Sequence, residues 1–316
     1  MIESFITVVQ QVIILFVLIS IGFGLTKKKL FSEKTIAELT TFILYLVTPC
    51  VIIESFNRPF DADMLNAFLL SFLAAIVVHV LSIFIAFLFI RDRDKNTQTI
   101  FRFGVVFSNC AFMALPLQQA LLGSEAVFYG SSFIAVFNLF VWTHGYGIMK
   151  IDPENKGQKK SGQMIFSQLI KTLLNPGIAS VFLGLFLFLT STKLPFFIQK
   201  PIQYLAALNT PLPMIVIGFY VASVKDFSIL KDKKMFLASF LRLIFIPLLS
   251  LALFYAAGIR GVLLSSLIIS ASTPVGATLV MFSIKFNKDA KKAGAFVAFT
   301  TLVSVLTMPI IIALVA

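Results

Sequence analysis

The sequence is poor in charged residues and in the side chains on which most soluble enzymes depend. Charged residues occupy 13% of the 316 positions, against about 25% in a typical soluble domain. The chain has 2 cysteines, 2 histidines, 1 tryptophan and 14 acidic residues. Cys50 and Cys110 both lie inside apolar runs, where buried small side chains are expected rather than a disulfide. An ordinary soluble domain and a disulfide-stabilised scaffold are therefore excluded.

Motifs of enzymes that work within membranes are also missing. The chain has no His-Glu-x-x-His motif, no Gly-x-Ser-x-Gly motif and no aspartate in the middle of an apolar run. We therefore predict no enzymatic activity, no metal site and no cofactor.

Apolar side chains fill the chain instead. Hydrophobic residues make up 59% of it, phenylalanine occurs 36 times, and the mean hydropathy is +0.98. A soluble fold could not bury this much apolar surface, so lipid must surround most of the chain. A bilayer span needs about 20 apolar residues. The sequence predicts an all-α membrane protein with ten transmembrane helices, at residues 5–25, 35–56, 65–90, 99–121, 126–149, 172–191, 202–223, 235–256, 261–283 and 291–315. No basic segment precedes the first of these and no small-residue cleavage site follows it, so we expect a retained span rather than a signal peptide.

The basic residues predict how these spans are oriented. Of the 26 lysines and arginines, 21 lie in or beside the alternate links after spans 1, 3, 5, 7 and 9, and only four lie on the opposite side. Links rich in Lys and Arg face the cytoplasm, which predicts a plasma-membrane protein with both termini outside. This distribution accounts for the net charge of +12 without nucleic acid as a partner.

The two halves of the chain carry similar patterns. Leu-Val-Thr-Pro at 46–49 corresponds to Leu-Asn-Thr-Pro at 208–211, and the proline-containing run 109–116 of span 4 corresponds to 272–276 of span 9. Five spans per half require the repeats to be inverted in the membrane. We predict repeats at 1–150 and 166–316, joined by a short basic cytoplasmic link at 151–165. Paired, interrupted spans of this kind are typical of secondary transporters.

Prolines inside spans 4 and 9 predict that both helices are broken. Proline lacks an N–H donor and clashes with the preceding turn, and the freed polar groups need partners inside protein. If the broken helices cross, their ends meet near the middle of the membrane. Helix N-termini carry free N–H groups and partial positive charge, which suits an anionic ligand. A pair of simple kinks is the alternative.

These features resemble the auxin efflux carrier family, which includes plant PIN carriers and bacterial malate or malonate permeases. The resemblance covers nearly the whole chain and depends on the order and spacing of the motifs. The matching residues are Asn109, Met113, Pro116 and Leu117 in span 4, Thr210, Pro211 and Gly218 in span 7, Pro274 and Gly276 in span 9, Lys285, Phe286 and Asn287 after it, and Pro309 in span 10.

The resemblance implies a fold similar to bile-acid symporters and sodium/proton antiporters. Spans 1, 2, 6 and 7 would form a scaffold, and spans 3–5 and 8–10 a moving transport unit centred on the crossing of spans 4 and 9. It also implies a homodimer formed through the scaffold, at spans 2 and 7. Asn109 would bind a substrate carboxylate, and Pro116 and Pro274 would shape the crossing. The long central cytoplasmic loop of the plant carriers is missing here, which argues against plant-style regulation through that loop and weakens the case for auxin itself as the natural substrate.

The candidate residues fall into two groups. The candidates for substrate binding are Asn109, Cys110, Met113, Pro116, Asn138, Ser272, Thr273, Pro274, Gly276, Thr48, Pro49, Thr210 and Pro211. The candidates for ion coupling or charge compensation are His79, Arg242 and Glu54, because charged or titratable groups inside spans are costly and often functional. For each of these three the alternative is structural: His79 bonded to a backbone carbonyl, Arg242 extended to the cytoplasmic surface, and Glu54 exposed.

Taken together, the sequence predicts a secondary transporter of small organic anions, such as carboxylates or auxin-like acids. It would work by alternating access, with the substrate at the crossing of spans 4 and 9. An anion channel or an electrogenic uniporter of the same fold is the alternative. Coupling to protons or to sodium is left open, since acidic residues are scarce within the spans.

Overall fold

The computed structural model describes residues 2–150, 176–223 and 232–315, and these residues are almost entirely helical. In the first part of the chain the α-helices are α1 (Ile2–Lys27), α2 (Glu33–Phe42), α3 (Thr48–Phe56), α4 (Ala62–Phe89), α5 (Lys95–Val106), α6 (Leu115–Phe140) and α7 (Tyr146–Lys150). In the remainder they are α8 (Pro176–Leu189), α9 (Phe196–Ala207), α10 (Pro211–Ala222), α11 (Lys233–Phe240), α12 (Ile246–Ala256), α13 (Gly261–Ser272), α14 (Thr278–Lys285) and α15 (Ala290–Ala313). The predicted link 151–165 lies outside the described residues.

Wide π-helical turns interrupt several helices, and most of these turns lie just before a proline. They are π1 (Ile43–Val47), π2 (Cys110–Ala114), π3 (Val141–Gly145) and π4 (Leu241–Phe245). In the sequence, π1, π2 and π4 each end two residues before a proline. A proline ring clashes with the carbonyl of the residue four positions earlier, and a widened turn relieves that clash.

Length and composition support a protein that crosses a membrane many times. Six described helical runs are long and apolar enough to span a bilayer: Glu33–Phe56, Ala62–Phe89, Cys110–Lys150, Phe196–Ala222, Lys233–Ala256 and Ala290–Ala313. Three shorter apolar helices, Ile13–Lys27, Pro176–Leu189 and Gly261–Ser272, accompany them. The prediction of an all-helical, multi-pass membrane protein is therefore confirmed, while the count of ten spans stays a prediction.

The helical run Cys110–Lys150 contains 41 residues and is kinked at Gly123. Gly123 adopts φ 76° and ψ −168°, a conformation that favours glycine, inside the range assigned to α6. The sequence predicts the boundary between spans 4 and 5 at this position. A single glycine turn therefore takes the place of the short link expected there.

Acidic residues mark where several helices begin. Asp61, Asp94, Asp232 and Asp289 are the N-caps of α4, α5, α11 and α15, and each side chain accepts a hydrogen bond from a backbone N–H of the first turn. Capping satisfies donors that have no partner within the helix. These four acids therefore lie at the ends of helices, as their positions outside the apolar runs predict.

Helices α1 and α10 approach each other through glycine. A Cβ atom added at Gly22 would lie 2.2 Å from the carbonyl oxygen of Ile215, and one added at Gly218 would lie 2.1 Å from that of Ile19. No real side chain tolerates these distances, so the two backbones are in direct contact. Small residues allow such close packing between membrane helices.

Candidate functional site

Two breaks in the helices lie side by side within the protein. The first is Phe107–Asn109, between α5 and π2, and the second is Thr273–Ala277, between α13 and α14. Ser108 and Val275 form an antiparallel bridge. The amide of Asn109 donates to the carbonyl of Pro274 at 2.7 Å, and that of Gly276 donates to the carbonyl of Phe107 at 3.0 Å. We call this region the paired interruptions. Its extended backbone is hydrogen-bonded within the protein, as irregular backbone among membrane helices must be.

Four helix ends meet at the paired interruptions. Helices α5 and α13 end there with C-terminal carbonyls, whereas π2 and α14 begin there. The C-terminal end of a helix carries partial negative charge and the N-terminal end partial positive charge. The paired interruptions therefore combine two acceptor-rich ends with two donor-rich ends.

Arg242 lies against both C-terminal ends. Its side chain is in π4 and the residue is only 1% exposed. One terminal nitrogen, Nη1, donates to the carbonyls of Val105 at 3.2 Å and Val106 at 3.3 Å, and Nη2 donates to the carbonyl of Ala271. The side chain is thus held inside the protein. It does not extend to the cytoplasmic surface, which was the structural alternative expected for Arg242.

The candidates of the first interruption are all buried. Asn109 is 6% exposed, Met113 is 2% and Cys110 is 1%, and Pro116 follows in the first turn of α6. The carbonyl of Asn109 accepts a bond from the amide of Met113 at 3.0 Å. Asn109 therefore precedes the N-terminal turn of π2, beside the groups that could bind an anion.

The hydroxyl groups of the second interruption serve their own helix. Ser272 donates to the carbonyl of Ile269 at 3.0 Å, and Thr273 donates to that of Ser270 at 3.1 Å. Both residues are fully buried. A Cβ atom added at Gly276 would lie 3.0 Å from the carbonyl oxygen of Ser108. Gly276 thus permits the close approach of the two backbones, and the hydroxyl protons of Ser272 and Thr273 are already used.

Three polar residues at the paired interruptions were not among the candidates predicted from the sequence. Thr300 of α15 accepts a hydrogen bond from the amide of Val275 at 3.3 Å. The buried hydroxyl oxygens of Ser108 and Thr278 have no hydrogen-bond partner among the described residues. In the sequence these residues look like ordinary members of apolar helices. Only Thr278 could have been singled out from the sequence, because it follows the Pro-x-Gly motif of span 9 by two residues.

Comparison with known proteins identifies the family. The chain matches the family described as "Membrane transport protein" over residues 7–312.

The chain belongs to this family of membrane transporters, the auxin efflux carrier family.

Two relatives support this assignment. An "Uncharacterized transporter" of Methanothermobacter thermautotrophicus is 23% identical over 322 residues, covering 95% of this chain and 96% of its own length. A "Putative malonate transporter" of Rhizobium meliloti is 24% identical over 277 residues, covering 85% and 84%. The family and both relatives are transporters, so the prediction that the chain is not an enzyme is confirmed.

The remaining candidates of this transporter lie in its other helices. The amide nitrogen of Asn138 donates to the carbonyl of Ile134 in its own helix at 2.9 Å. Thr48 is 2% exposed, and its hydroxyl oxygen is buried without a partner among the described residues. Pro49, Thr210 and Pro211 stand at the starts of α3 and α10. Glu54 is half-buried in α3.

The helix starts at Thr48 and Pro211 are connected to the first interruption by one apolar cluster. Phe112 of π2 packs in a cluster with Ile43 and Val47 of π1 and with Val216 and Phe219 of α10. The structure therefore brings π2 against the helices that carry these candidates, although no hydrogen bond joins them among the described residues.

His79 lies in an aromatic environment. Its ring nitrogen Nδ1 is 2.8 Å from the carbonyl oxygen of Ala75, one turn earlier in α4, and the residue is 1% exposed. The ring of Phe140 stacks on it at 5.2 Å between centroids, and that of Phe133 lies at 5.1 Å. The geometry matches the structural alternative for His79, a buried histidine bonded to its own helix.

A cluster of phenylalanine rings joins helices from different parts of the transporter. Phe56 of α3 contacts the ring of Phe128 of α6 at 4.6 Å, and Phe128 also contacts Phe68 of α4 at 5.2 Å and Phe188 of α8 at 5.1 Å. The guanidinium of Arg58 lies 5.4 Å from the centre of the Phe128 ring. We call these four rings with Arg58 the aromatic cluster.

The link between α4 and α5 and the first turn of α5 are tied to two later helices by polar contacts. The carboxylate of Asp92 forms an ion pair with Lys234 at 2.6 Å. Lys292 donates to the hydroxyl of Thr97 at 2.5 Å. The hydrogen bond from Lys234 holds the pKa of the Asp92 carboxyl below its usual range. The Asp92 carboxylate thus belongs to a structural ion pair. Among the described residues, no group of three or more His, Cys, Asp or Glu side chains could hold a metal ion.

Proposed function

We propose that this protein is a secondary-active carrier of small organic anions, which binds the anion at the paired interruptions beside Asn109. The observation that carries the proposal is the backbone pairing of the two breaks, Asn109 with Pro274 and Gly276 with Phe107, because four helix ends meet there and two of them, at π2 and α14, are N-terminal. Such ends bind anions through free N–H groups. The relative named as a malonate transporter agrees with a carboxylate substrate.

The proposed architecture is a ten-helix inverted repeat with crossing helices at the paired interruptions. In this arrangement α5 to α6 and α13 to α14 are the broken spans 4 and 9. The single antiparallel bridge between Ser108 and Val275 supports it, because each broken helix contributes the same kind of extended segment. Spans 1, 2, 6 and 7 would be the scaffold, and spans 3–5 and 8–10 the unit that moves.

A carrier explains this arrangement better than a channel does. A channel needs a continuous polar pore, lined by rings of carbonyls or charges. At the paired interruptions the extended backbone is hydrogen-bonded within the protein, and Asn109 and Cys110 are nearly inaccessible. Transport past them requires movement of helices, which is the basis of alternating access.

We further propose a homodimer in the plasma membrane, with both termini outside. The helices of spans 2 and 7 offer exposed aromatic side chains for the contact: Tyr45 is 64% exposed, Phe197 is 74% and Tyr204 is 74%. Crosslinking of the purified protein in lipid nanodiscs tests this part, and a monomer at every protein concentration would reject it.

Uptake into proteoliposomes tests the site. We expect malonate uptake by the wild-type protein and at least a tenfold loss, about 1.4 kcal/mol, on Asn109→Ala. Asn66→Ala is the matched control, because Asn66 is exposed near the start of α4 and is not among the candidates, so uptake should be nearly unchanged. Equal loss in both variants would reject Asn109 as a ligand. Absence of uptake of any mono- or dicarboxylate by the wild-type protein would reject the substrate class.

A further inference from the structure

Arg242 is a buried cation without an acidic partner in the described part of the chain. It is 1% exposed, and the two ion pairs found there, Lys34 with Glu38 and Lys234 with Asp92, do not involve it. A buried charge is costly unless it is paired and fully hydrogen-bonded. Among the described residues, the charge of Arg242 is therefore compensated only by backbone carbonyls.

The two helix ends compensate this charge only in part. Arg242 donates to carbonyls of Val106 and Ala271, which belong to the last turns of α5 and α13. Each helix end carries roughly half a unit of negative charge at most, and this partial charge is weakened where the end is solvated. Among the described atoms, the nitrogen Nε of Arg242 is buried and has no hydrogen-bond partner. Three of the five guanidinium N–H donors are used in these bonds, and that of Nε is left without an acceptor.

The same contacts place this cation close to the N-terminal ends of the broken helices. Val106 is separated from Cys110, where π2 begins, by only three residues. Val106 also directly precedes Phe107, whose carbonyl accepts a hydrogen bond from Gly276 just before α14 begins. A positive charge held here adds to the partial positive charge of those N-termini. Its attraction for a bound ligand grows in proportion to the ligand's negative charge.

We propose that Arg242 is a positioning and specificity-determining residue: it holds the two C-terminal helix ends together, and its charge makes the site prefer dianions to monoanions. This inference rests on the proposed function, since it assumes that the carried anion binds at the paired interruptions.

The test compares two ligands of similar size and different charge. Malonate carries two charges at about pH 8, and its monomethyl ester carries one. Removing one positive charge from the site should weaken binding of the dianion about twice as much, in free energy, as binding of the monoanion. For Arg242→Gln we expect Kd to rise about tenfold for the ester and about a hundredfold for malonate.

Arg260→Gln is the matched control. Arg260 also donates to two backbone carbonyls, those of Tyr255 at 2.6 Å and Ile259 at 2.8 Å, but it is exposed and precedes the first turn of α13, at the end opposite the second interruption. This variant loses the same charge a whole helix length away from the paired interruptions, so its Kd values should stay within about threefold of the wild type, because exposed charges are screened.

A second variant keeps the proposal testable if Arg242→Gln does not fold. Arg242→Lys keeps the charge and loses the planar fork that reaches two helix ends. We expect a lower apparent Tm with the preference for malonate over its ester retained. Loss of that preference in Arg242→Lys, or equal weakening of both ligands in Arg242→Gln, would overturn the proposal while leaving the carrier function standing. Failure of the wild-type protein to bind either ligand would overturn both.

Discussion

The amide of Asn109 donates to the carbonyl of Pro274 across 2.7 Å, and this bond joins two helix breaks from opposite halves of the chain. Each break lies close to a proline, Pro116 in one case and Pro274 itself in the other. Proline frees backbone groups that cannot stay unpaired among membrane helices. Here each break supplies hydrogen-bond partners for extended backbone of the other.

We expect Gly218→Ala to destabilise the protein. The added Cβ atom would lie 2.1 Å from the carbonyl oxygen of Ile19, so α1 and α10 must move apart. Overpacking of this kind costs about 1–3 kcal/mol. The measurement is the apparent Tm of the purified variant in detergent. Gly24→Ala is the control, because a Cβ atom there meets nothing within 4 Å. An unchanged Tm for Gly218→Ala would contradict the packing described.

The ion pair between Asp92 and Lys234 should make stability depend on pH. The folded-state pKa of Asp92 is lowered by the hydrogen bond from Lys234. Its contribution is therefore fully present above the ordinary carboxyl pKa of about 4, and it is lost as the pH falls through the lower folded-state pKa. We expect Asp92→Asn to cost less than about 1 kcal/mol near neutral pH and nothing at low pH, measured as apparent Tm across the pH range. A Tm difference that persists below the carboxyl range would refute this.

His79 should be dispensable for any pH dependence of transport. Its imidazole bonds to the carbonyl of Ala75 and is surrounded by phenylalanine rings. We expect His79→Phe to fit the same space, with a stability loss of less than about 1 kcal/mol for the hydrogen bond. The check is the pH profile of uptake, which should match that of the wild type. A profile flattened by His79→Phe would instead show that this histidine carries the coupled proton.

Movement of the proposed transport unit should open the aromatic cluster. Phe56 and Phe188 belong to the proposed scaffold, whereas Phe68 and Phe128 belong to the proposed moving unit. The native Cys50 and Cys110 are both buried, so the wild-type protein gives the baseline reactivity. A thiol introduced by Phe128→Cys should react faster with a polar reagent when substrate is added.

Phe133→Cys is the control for that experiment. Phe133 is also buried in α6, but it packs against His79, within the same proposed unit. Its thiol should stay unreactive in either condition. A rate for Phe128→Cys that does not respond to substrate would mean that the cluster is a static core.

Much of the candidate site was predictable because membrane helices tolerate few irregularities. The prolines and glycine of spans 4 and 9 indicate breaks, and the structure puts both breaks together. The partners of individual side chains were not predictable. Ser272 and Thr273 bond within their own helix, and Asn138 does the same. A hydroxyl or amide inside a span can satisfy itself locally or bind a ligand, and sequence does not distinguish these outcomes.

The sequence by itself determined that this is an all-helical membrane transporter, because 59% hydrophobic residues in long runs leave no soluble alternative and the motif order is that of the family. Only the tertiary structure decided where the side chain of Arg242, deep inside a predicted span, would lie. Arg242 could reach the surface or turn inward, and its contacts with Val105, Val106 and Ala271 depend on two helix ends far away in sequence. Local patterns set which segments are helices, whereas the pairing of their broken ends is a long-range property of the packed fold.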